Sequence, residues 1–191
     1  PRSTLFPYTT LFRSGAREHA LAEAIVRSRY QPRLYAFMKS NNPGIAGLCT
    51  KMELGSYGNL ETICAKARAW AVDLAVIGPE DPLDKGAVDA LKKVGIPAVG
   101  PTHSLARLET SKSFTRNLVA KYGIPGNPRF KNFTSFSGIE PFLDSLDGIV
   151  LKPDGLTGGK GVMVQGDHFQ TTVEALALCQ EILQEHPSLT I

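Results

Sequence analysis

A glycine-rich loop bracketed by two lysines is the segment of this 191-residue chain whose residue types and spacing point most directly to chemistry. Apolar runs at residues 148–151 and 162–164 stand on either side of it. Glycine lets backbone N–H groups approach an anion and adopt positive φ angles, and lysine adds positive charge. We therefore predict that the loop binds the phosphates of a nucleoside triphosphate. The predicted contacts are Lys152, Asp154, Gly155, Gly158, Gly159, Lys160 and Gly161.

Two common phosphate-binding loops do not match this spacing. A Walker A loop has Gly six positions before its Lys and Ser or Thr directly after it, whereas Asp154 and Gly161 occupy those positions relative to Lys160. A Rossmann turn leads into a helix, whereas residues 162–164 form a β-type run. The remaining interpretation is a strand, a glycine loop and a second strand that together close over ATP. The alternative is a glycine hairpin without a ligand, in which paired lysines would have little structural use.

The rest of the chain alternates between short β-rich runs and amphipathic helical stretches, which is typical of a parallel sheet with crossover helices. Strands are predicted at residues 34–38, 74–77 and 97–99, and helices at about 17–28, 59–71, 84–93 and 111–122. We predict an α/β fold with an open, Rossmann-like parallel sheet.

Small polar loops follow the predicted strands, at residues 40–44, 78–80 and 100–102. In an open parallel sheet, ligands bind at the carboxyl ends of the strands, so these loops should share one edge. The turn at Gly15 offers N–H groups, Asn42 an amide, and Glu80 an acceptor. This combination suits a sugar phosphate. Taken singly, each loop is also explained as a turn built from Gly, Pro and Asn.

A domain boundary is indicated where Gly and Pro crowd together at residues 123–128. Beyond it we predict a strand at 129–133, a helix near 136–146, the glycine-loop hairpin and a helix at about 171–184. The chain is divided into residues 1–14, a substrate domain at 15–112 and a partial nucleotide-binding domain at 113–191.

Residues 1–14 resemble, codon by codon, a translated short-read sequencing adapter, and we expect them to be foreign to the gene. Tyr8–Phe12 nevertheless has the composition of a strand and could fill the place of an opening strand ahead of Gly15. A divergent N-terminus or a signal peptide is the alternative. Against a signal peptide, Arg2 and Arg13 flank the segment and no continuous apolar core lies between them.

Composition excludes several classes of function. Arg2 and Arg13 account for two of the three net positive charges, so no basic surface for nucleic acid is expected. Hydrophobic residues make up 42% and charged residues 20%, as in soluble globular proteins, and no apolar stretch reaches the ~20 residues that span a bilayer. We expect a cytoplasmic protein. The three cysteines and four histidines lack the spacing of metal ligands.

Five segments and the glycine loop, read in order, resemble one family of ATP-grasp ligases, the glycinamide ribonucleotide synthetases (phosphoribosylamine–glycine ligases). They are residues 15–21, 42–44, 78–83, 100–102, 108–114 and 148–164. The resemblance implies an N-terminal α/β domain followed by the start of an ATP-grasp domain. It also assigns substrate binding to Gly15, Arg17, Glu18, His19, Asn42, Pro43, Gly44, Gly78, Pro79 and Glu80, and an ATP contact to Lys112.

The reaction implied by the resemblance joins glycine to 5-phosphoribosylamine. ATP converts the glycine carboxylate to an acyl phosphate, the amine attacks it, and glycinamide ribonucleotide, ADP and phosphate result. The family is expected to use Mg²⁺ or Mn²⁺, with metal ligands beyond Ile191, and to be monomeric. Family chains are more than twice as long, so no catalytic residue is assigned here and residues 1–191 are not expected to catalyse the reaction.

Departures from the family pattern are mild: Ala16 replaces a common glycine, and Pro153 and Thr157-Gly158 replace alanines. Pro153 has no N–H to donate to phosphate. Two alternatives stay open. One is another ATP-grasp enzyme, either a ligase of purine synthesis or a biotin-dependent carboxylase subunit. The other is a nucleotide-binding module without turnover.

Overall fold

The computed structural model describes residues 8–12, 15–157 and 161–191. The chain forms two compact units, Pro1–Ala106 and Arg107–Ile191. This division lies ahead of the Gly- and Pro-rich stretch at residues 123–128, which belongs to the second unit. In the described residues, no helix is both long enough and apolar enough to cross a membrane.

The first unit is built on a five-stranded parallel sheet with the strand order β3-β2-β1-β4-β5. The strands are β1 (Tyr8–Phe12), β2 (Arg33–Met38), β3 (Lys51–Leu54), β4 (Leu74–Ile77) and β5 (Ala98–Val99). The helices are α1 (Ala16–Val26), α2 (Pro43–Leu48), α3 (Leu60–Ala69), α4 (Glu80–Asp84), α5 (Ala87–Lys93) and α6 (His103–Thr110), which runs across the division between the units. The predicted open parallel sheet is confirmed.

Strand β1 occupies the centre of this sheet. Its register aligns Thr10 with Tyr35 of β2 on one side and with Ala75 of β4 on the other. Within the segment that resembles an adapter, Tyr8–Phe12 therefore forms the opening strand, in agreement with its β-type composition.

Helices cover both faces of the sheet, and strand β2 shows why. Leu34, Ala36 and Met38 pack with Ala22 and Ile45 from α1 and α2. The alternate residues, Tyr35 and Phe37, belong to the core formed with α3 and α5. Because successive side chains of a strand point to opposite faces, a strand buried on both faces is apolar almost throughout.

The short helices α2, α4 and α6 and the short strand β3 of the first unit were not predicted. Helix α2 begins where the sequence suggests a simple turn, because Asn42 caps it and Pro43 occupies its first turn, a position that suits proline. Helix α6 likewise follows the loop at residues 100–102. Strand β3 is a short edge strand with the partly polar sequence KMEL, so its composition gave only a weak signal.

The second unit contains a four-stranded sheet with the order β6-β9-β7-β8. Its strands are β6 (Asn132–Phe133), β7 (Val150–Pro153), β8 (Met163–Val164) and β9 (Leu189–Thr190), and its helices are α7 (Lys112–Lys121), α8 (Ile139–Leu143) and α9 (Thr172–Glu185). Strands β7 and β8 pair antiparallel, with Val150 opposite Val164, which confirms the predicted hairpin around the glycine loop.

Helix α9 packs against the sheet and forms the apolar core of this unit with it. Its start carries a capping box, in which the Thr171 side chain and the Glu174 side chain each bond the backbone of the other residue. Its buried residues Ala175, Cys179 and Ile182 recur at spacings of three and four and pack with Leu151 and Leu189 of the strands. Helix α9 and the sheet together support β7, whose last residue, Pro153, leads into the glycine loop.

Candidate functional site

The first turn of α1 meets two of the predicted loops in the first unit. A guanidinium nitrogen of Arg17 donates to Glu80 Oε1 at 3.3 Å, which brings the start of α1 to the loop after β4. Arg17 remains 67% exposed and Glu80 26% exposed. Because parallel strands end at the same edge, residues distant in sequence come together there.

Two glycines allow this close approach. A Cβ at Gly78 would lie 2.6 Å from Cγ of Glu18, and a Cβ at Gly44 would overlap the imidazole of His19. A side chain at either position would therefore have to displace its neighbour. Glu18 is 1% exposed, whereas the His19 side chain is 38% exposed and lies 3.7 Å from Glu23 Oε1.

Asn42 links the loop after β2 to the Gly15 turn. Its Oδ1 accepts from the N–H groups of Gly44 and Ile45 at 2.9 and 3.2 Å, which caps α2. Its Nδ2 donates to the carbonyl oxygen of Gly15 at 3.4 Å. The predicted residues 15, 17–19, 42–44 and 78–80 thus form one cluster at the carboxyl edge of the sheet.

This cluster has the chemistry of an anion and hydroxyl site. The first N–H groups of a helix lack partners within it, so the start of α1 can donate to an anion. Arg17 and His19 add exposed donors, and the Glu80 carboxylate can accept from hydroxyl groups. A phosphate on a sugar would satisfy both kinds of group.

A second cluster, in the second unit, surrounds the first arm of the glycine loop. The Lys112 ammonium, at the start of α7, donates to the carbonyl oxygen of Gly155 at 2.8 Å. Burial lowers the pKa of Lys112, and the nearby Lys152 lowers it further, while Asp154 acts in the opposite direction. The structure thus brings together Lys112 and Lys152, which lie forty positions apart in the sequence.

The Asp154 carboxylate points toward protein donors. It accepts from the hydroxyls of Ser113, Ser111 and Ser188 at 2.5, 3.0 and 3.3 Å and from the N–H of Ser113 at 3.2 Å. Burial alone would raise the pKa of Asp154, but the hydrogen bonds from Ser113 and Ser111 outweigh it and leave the pKa below its ordinary value.

The described part of the loop requires glycine at two places. Gly155 has a φ of +94° and Gly161 a φ of +92°, a region that favours glycine. A Cβ at Gly161 would also lie 3.1 Å from Cγ of Pro153. The predicted contacts Gly158, Gly159 and Lys160 lie outside the described residues.

A cavity of about 170 Å³ opens beside Lys152 on the sheet of the second unit. Arg116 and Arg129 also line it, together with Thr190 and Ile191. Arg129 is held by Ser145, at 2.6 Å from its carbonyl oxygen and 2.9 Å from its hydroxyl, and Arg116 by Asn127 at 3.1 Å. The cavity combines positively charged side chains that are held by hydrogen bonds with apolar walls, which suits an anionic ligand.

Sequence reasoning missed the serines that hold Asp154 and the cavity residue Arg116. The pattern Ser111-Lys112-Ser113 at a helix start carried a signal for Ser111, since serine is a preferred N-cap and Ser111 accepts from the N–H of Phe114. Ser188 lies far along the chain and carried no local signal.

The histidines, cysteines and carboxylates are the side chains from which a metal site or a reactive thiol would come. Across the residues that the structure describes, His, Cys, Asp and Glu side chains form no group of three able to hold a metal ion. The cysteines are free, and burial raises the pKa of Cys49 to about 11 and that of Cys179 to about 12. These thiols are therefore protonated at neutral pH.

Comparison with protein families gives two adjoining matches. Residues 10–109 match the N domain of phosphoribosylglycinamide synthetase, and residues 110–188 match its ATP-grasp (A) domain.

Curated relatives agree with these matches. The phosphoribosylamine–glycine ligase of Methanosarcina barkeri is 43% identical over 175 residues, which cover 92% of this chain and 40% of the relative. That of Methanopyrus kandleri is 45% identical over 174 residues, which cover 90% and 39%. The chain thus spans about 40% of the length of the curated relatives it matches.

Solved structures share the fold at low sequence identity. A phosphoribosylamine–glycine ligase from Thermotoga maritima superposes with a TM-score of 0.71 and 20% identity, over 96% of this chain and 42% of that one. An N5-carboxyaminoimidazole ribonucleotide synthetase in an ADP complex gives 0.72 and 16%, over 96% and 46%.

Proposed function

This chain belongs to the phosphoribosylglycinamide synthetase family, and from that premise we propose that it supplies the sugar phosphate site and part of the ATP site of a ligase that joins glycine to 5-phosphoribosylamine. The products are glycinamide ribonucleotide, ADP and phosphate. Relatives 43% and 45% identical that are phosphoribosylamine–glycine ligases favour this reaction over those of other ATP-grasp enzymes.

The cluster at the start of α1 is proposed to bind 5-phosphoribosylamine. The N–H groups of the first turn and the Arg17 guanidinium would receive the phosphate, and Glu80 would accept from ribose hydroxyls. Asn42 would tie the loop after β2 to the Gly15 turn, and Gly44 and Gly78 would let the loops lie close to α1. The convergence of α1 with these loops is the observation that carries the proposal.

The cluster around Asp154 and the neighbouring cavity are proposed to bind ATP. Lys112 and Lys152 would neutralise phosphate charge, while the glycine loop donates N–H groups and excludes water. Phosphoryl transfer requires mainly positioning and charge stabilisation, and these residues supply both. The glycine carboxylate would become an acyl phosphate, which the amine of 5-phosphoribosylamine then attacks.

The remaining properties are proposed from the family alone. The enzyme would use Mg²⁺ or Mn²⁺, with metal ligands that lie beyond Ile191 in the family. It would be a monomeric cytoplasmic enzyme of purine biosynthesis that binds small molecules and neither nucleic acid nor membranes.

Paired ligand titrations test the proposal. The 191-residue chain is titrated with ribose 5-phosphate, which carries the sugar and phosphate of the substrate, and with ATP and Mg²⁺. Arg17→Ala should weaken sugar phosphate binding and leave ATP binding unchanged, and Lys152→Ala should do the reverse. Each loss should be about tenfold or more, since a hydrogen bond to a charged group contributes ~1.5–3 kcal/mol.

Matched controls are Arg29→Ala, past the end of α1, and Lys121→Ala, at the exposed end of α7. Neither should change either affinity. Failure to bind ribose 5-phosphate while ATP still binds would reject the substrate assignment and favour a nucleotide-binding role. If the chain binds neither ribose 5-phosphate nor ATP, the whole proposal is rejected.

A further inference from the structure

Asp154 follows β7 directly, at the beginning of the glycine loop, and both of its carboxylate oxygens are engaged by the protein. Oδ2 accepts from three serine hydroxyls, and Oδ1 from the N–H of Ser113 at 3.2 Å. The carboxylate is therefore unsuited to contacting a nucleotide. Its negative charge would in any case repel phosphate.

The donors come from two other segments. Ser111 and Ser113 belong to the start of α7, and Ser188 immediately precedes β9. The backbone adds another link, because the N–H of Asp154 donates to the carbonyl oxygen of Ser188 at 2.9 Å. A single side chain thus joins the arm of the glycine loop to α7 and to the sheet.

Lys112 lies in the sequence between Ser111 and Ser113, two of the three serines that hold Asp154. Its ammonium reaches the carbonyl oxygen of Gly155, the residue after Asp154, at 2.8 Å. The direction of that carbonyl depends on the positive φ of Gly155. The position of the Lys112 ammonium thus depends on both segments that Asp154 connects.

We propose that Asp154 is a positioning residue, which holds the first turn of α7 against the glycine-loop arm so that the Lys112 ammonium is kept beside Gly155 and near Lys152. This inference rests on the proposed nucleotide site. The charge of Asp154 also raises the pKa of Lys112, against the lowering effect of Lys152. In this arrangement Asp154 acts on the nucleotide only through Lys112.

The first test needs no nucleotide. Carbon-13 relaxation at the lysine Cε positions of the 191-residue chain measures the mobility of each lysine side chain. Asp154→Asn should raise the mobility of Lys112 to that of the exposed Lys121 and leave Lys131 unchanged. The amide keeps the size of the carboxylate but has only one acceptor oxygen, so it cannot accept from both the serine hydroxyls and the N–H of Ser113.

The matched control is Asp167→Asn, which makes the same chemical change at an exposed carboxylate of the same unit. It should leave Lys112 unchanged. If Lys112 stays as ordered in Asp154→Asn as in the unsubstituted chain, the proposal is wrong. A general loosening that includes Lys131 would indicate a merely structural role and would also overturn it.

The second test is a double-mutant cycle on the affinity for ATP with Mg²⁺. Lys112→Ala and Asp154→Asn should each lower the affinity about tenfold. The double variant should bind no more weakly than Lys112→Ala, because Asp154 acts through Lys112. Losses that multiply in the double variant would contradict the proposal. Absence of ATP binding in the unsubstituted chain would reject the nucleotide site, and the mobility of Lys112 would then decide the inference alone.

Discussion

At two glycines of the first unit, a Cβ would collide with a neighbouring side chain. At Gly78 the neighbour is Glu18, a residue that is 1% exposed. At Gly44 it is the half-exposed ring of His19. A buried neighbour cannot move away, whereas a half-exposed one can. The same substitution should therefore have different consequences at the two positions.

Gly78→Ala should lower the free energy of unfolding of the first unit by about 1–3 kcal/mol, since the new Cβ would lie 2.6 Å from Cγ of Glu18. Urea unfolding followed by the fluorescence of Trp70, a core residue of this unit, measures the change. Gly47→Ala is the control, because nothing lies within 4 Å of its Cβ. It should be neutral or stabilising by up to ~1 kcal/mol. Equal effects at both positions would show that Glu18 yields easily.

Gly44→Ala should leave stability nearly unchanged but weaken the binding of ribose 5-phosphate, because the His19 ring would swing out of the cluster. Calorimetric titration measures the affinity, and Gly47→Ala again serves as the control. Unchanged affinity would remove His19 from the proposed site.

The stabilising effect of Asp154 should depend on pH. Its folded-state pKa lies below the ordinary value of 3.8, so its contribution is complete above that value and is lost as the pH falls through the folded-state pKa. Asp154→Asn should thus destabilise the second unit at pH 7, and the difference should shrink below about pH 3.8. Urea unfolding of the two proteins at several pH values, followed by NMR signals of α9, measures it. A difference that is the same at every pH would contradict the assigned charge.

Helix caps decide how the loops of the first unit are presented. Asn42 caps α2 at the site, and Asn59 caps α3, where its Oδ1 accepts from the N–H of Thr62 at 3.1 Å. Both residues perform the same local task. Only Asn42 also bonds the carbonyl oxygen of Gly15, so the two caps separate stability from binding.

Asn42→Ala and Asn59→Ala should each destabilise the first unit by about 1 kcal/mol. Only Asn42→Ala should also weaken ribose 5-phosphate binding, because it releases the Gly15 turn. Trp70 fluorescence and calorimetric titration give the two quantities. A similar loss of affinity in both variants would mean that stability alone controls binding.

The two units differ in the way their sheets are built, and this bears on the activity of the whole molecule. The first unit has a parallel sheet covered on both faces, and the second has an antiparallel sheet next to the proposed ATP site. The curated relatives are about two and a half times as long as the part matched here. We propose that the ligase activity belongs to that full length.

The 191-residue chain should bind ATP with Mg²⁺ but should not release phosphate steadily when glycine and ATP are supplied. A phosphate-release assay measures this, with the full-length ligase of Methanosarcina barkeri as the positive control. Steady release that depends on both glycine and ATP would contradict the expectation.

The sequence by itself determined the kinds of element, the parallel sheet, the glycine hairpin and most of the candidate residues. These follow from periodicity and from local chemistry, such as Pro43 after Asn42 or glycines beside Lys152. It even indicated that Tyr8–Phe12 could be a strand. The short elements α2, α4, β3, α6 and β9 were missed because each has too few residues to show a clear periodicity.

Only the tertiary structure decided which side chains meet. Arg17 reaches Glu80, 63 positions away, and Ser111 reaches Asp154, 43 positions away. The sequence predicted Asp154 as a nucleotide contact, whereas its carboxylate turns toward serines. The direction of a side chain is set by the packing of segments that are distant along the chain, and no local pattern encodes it.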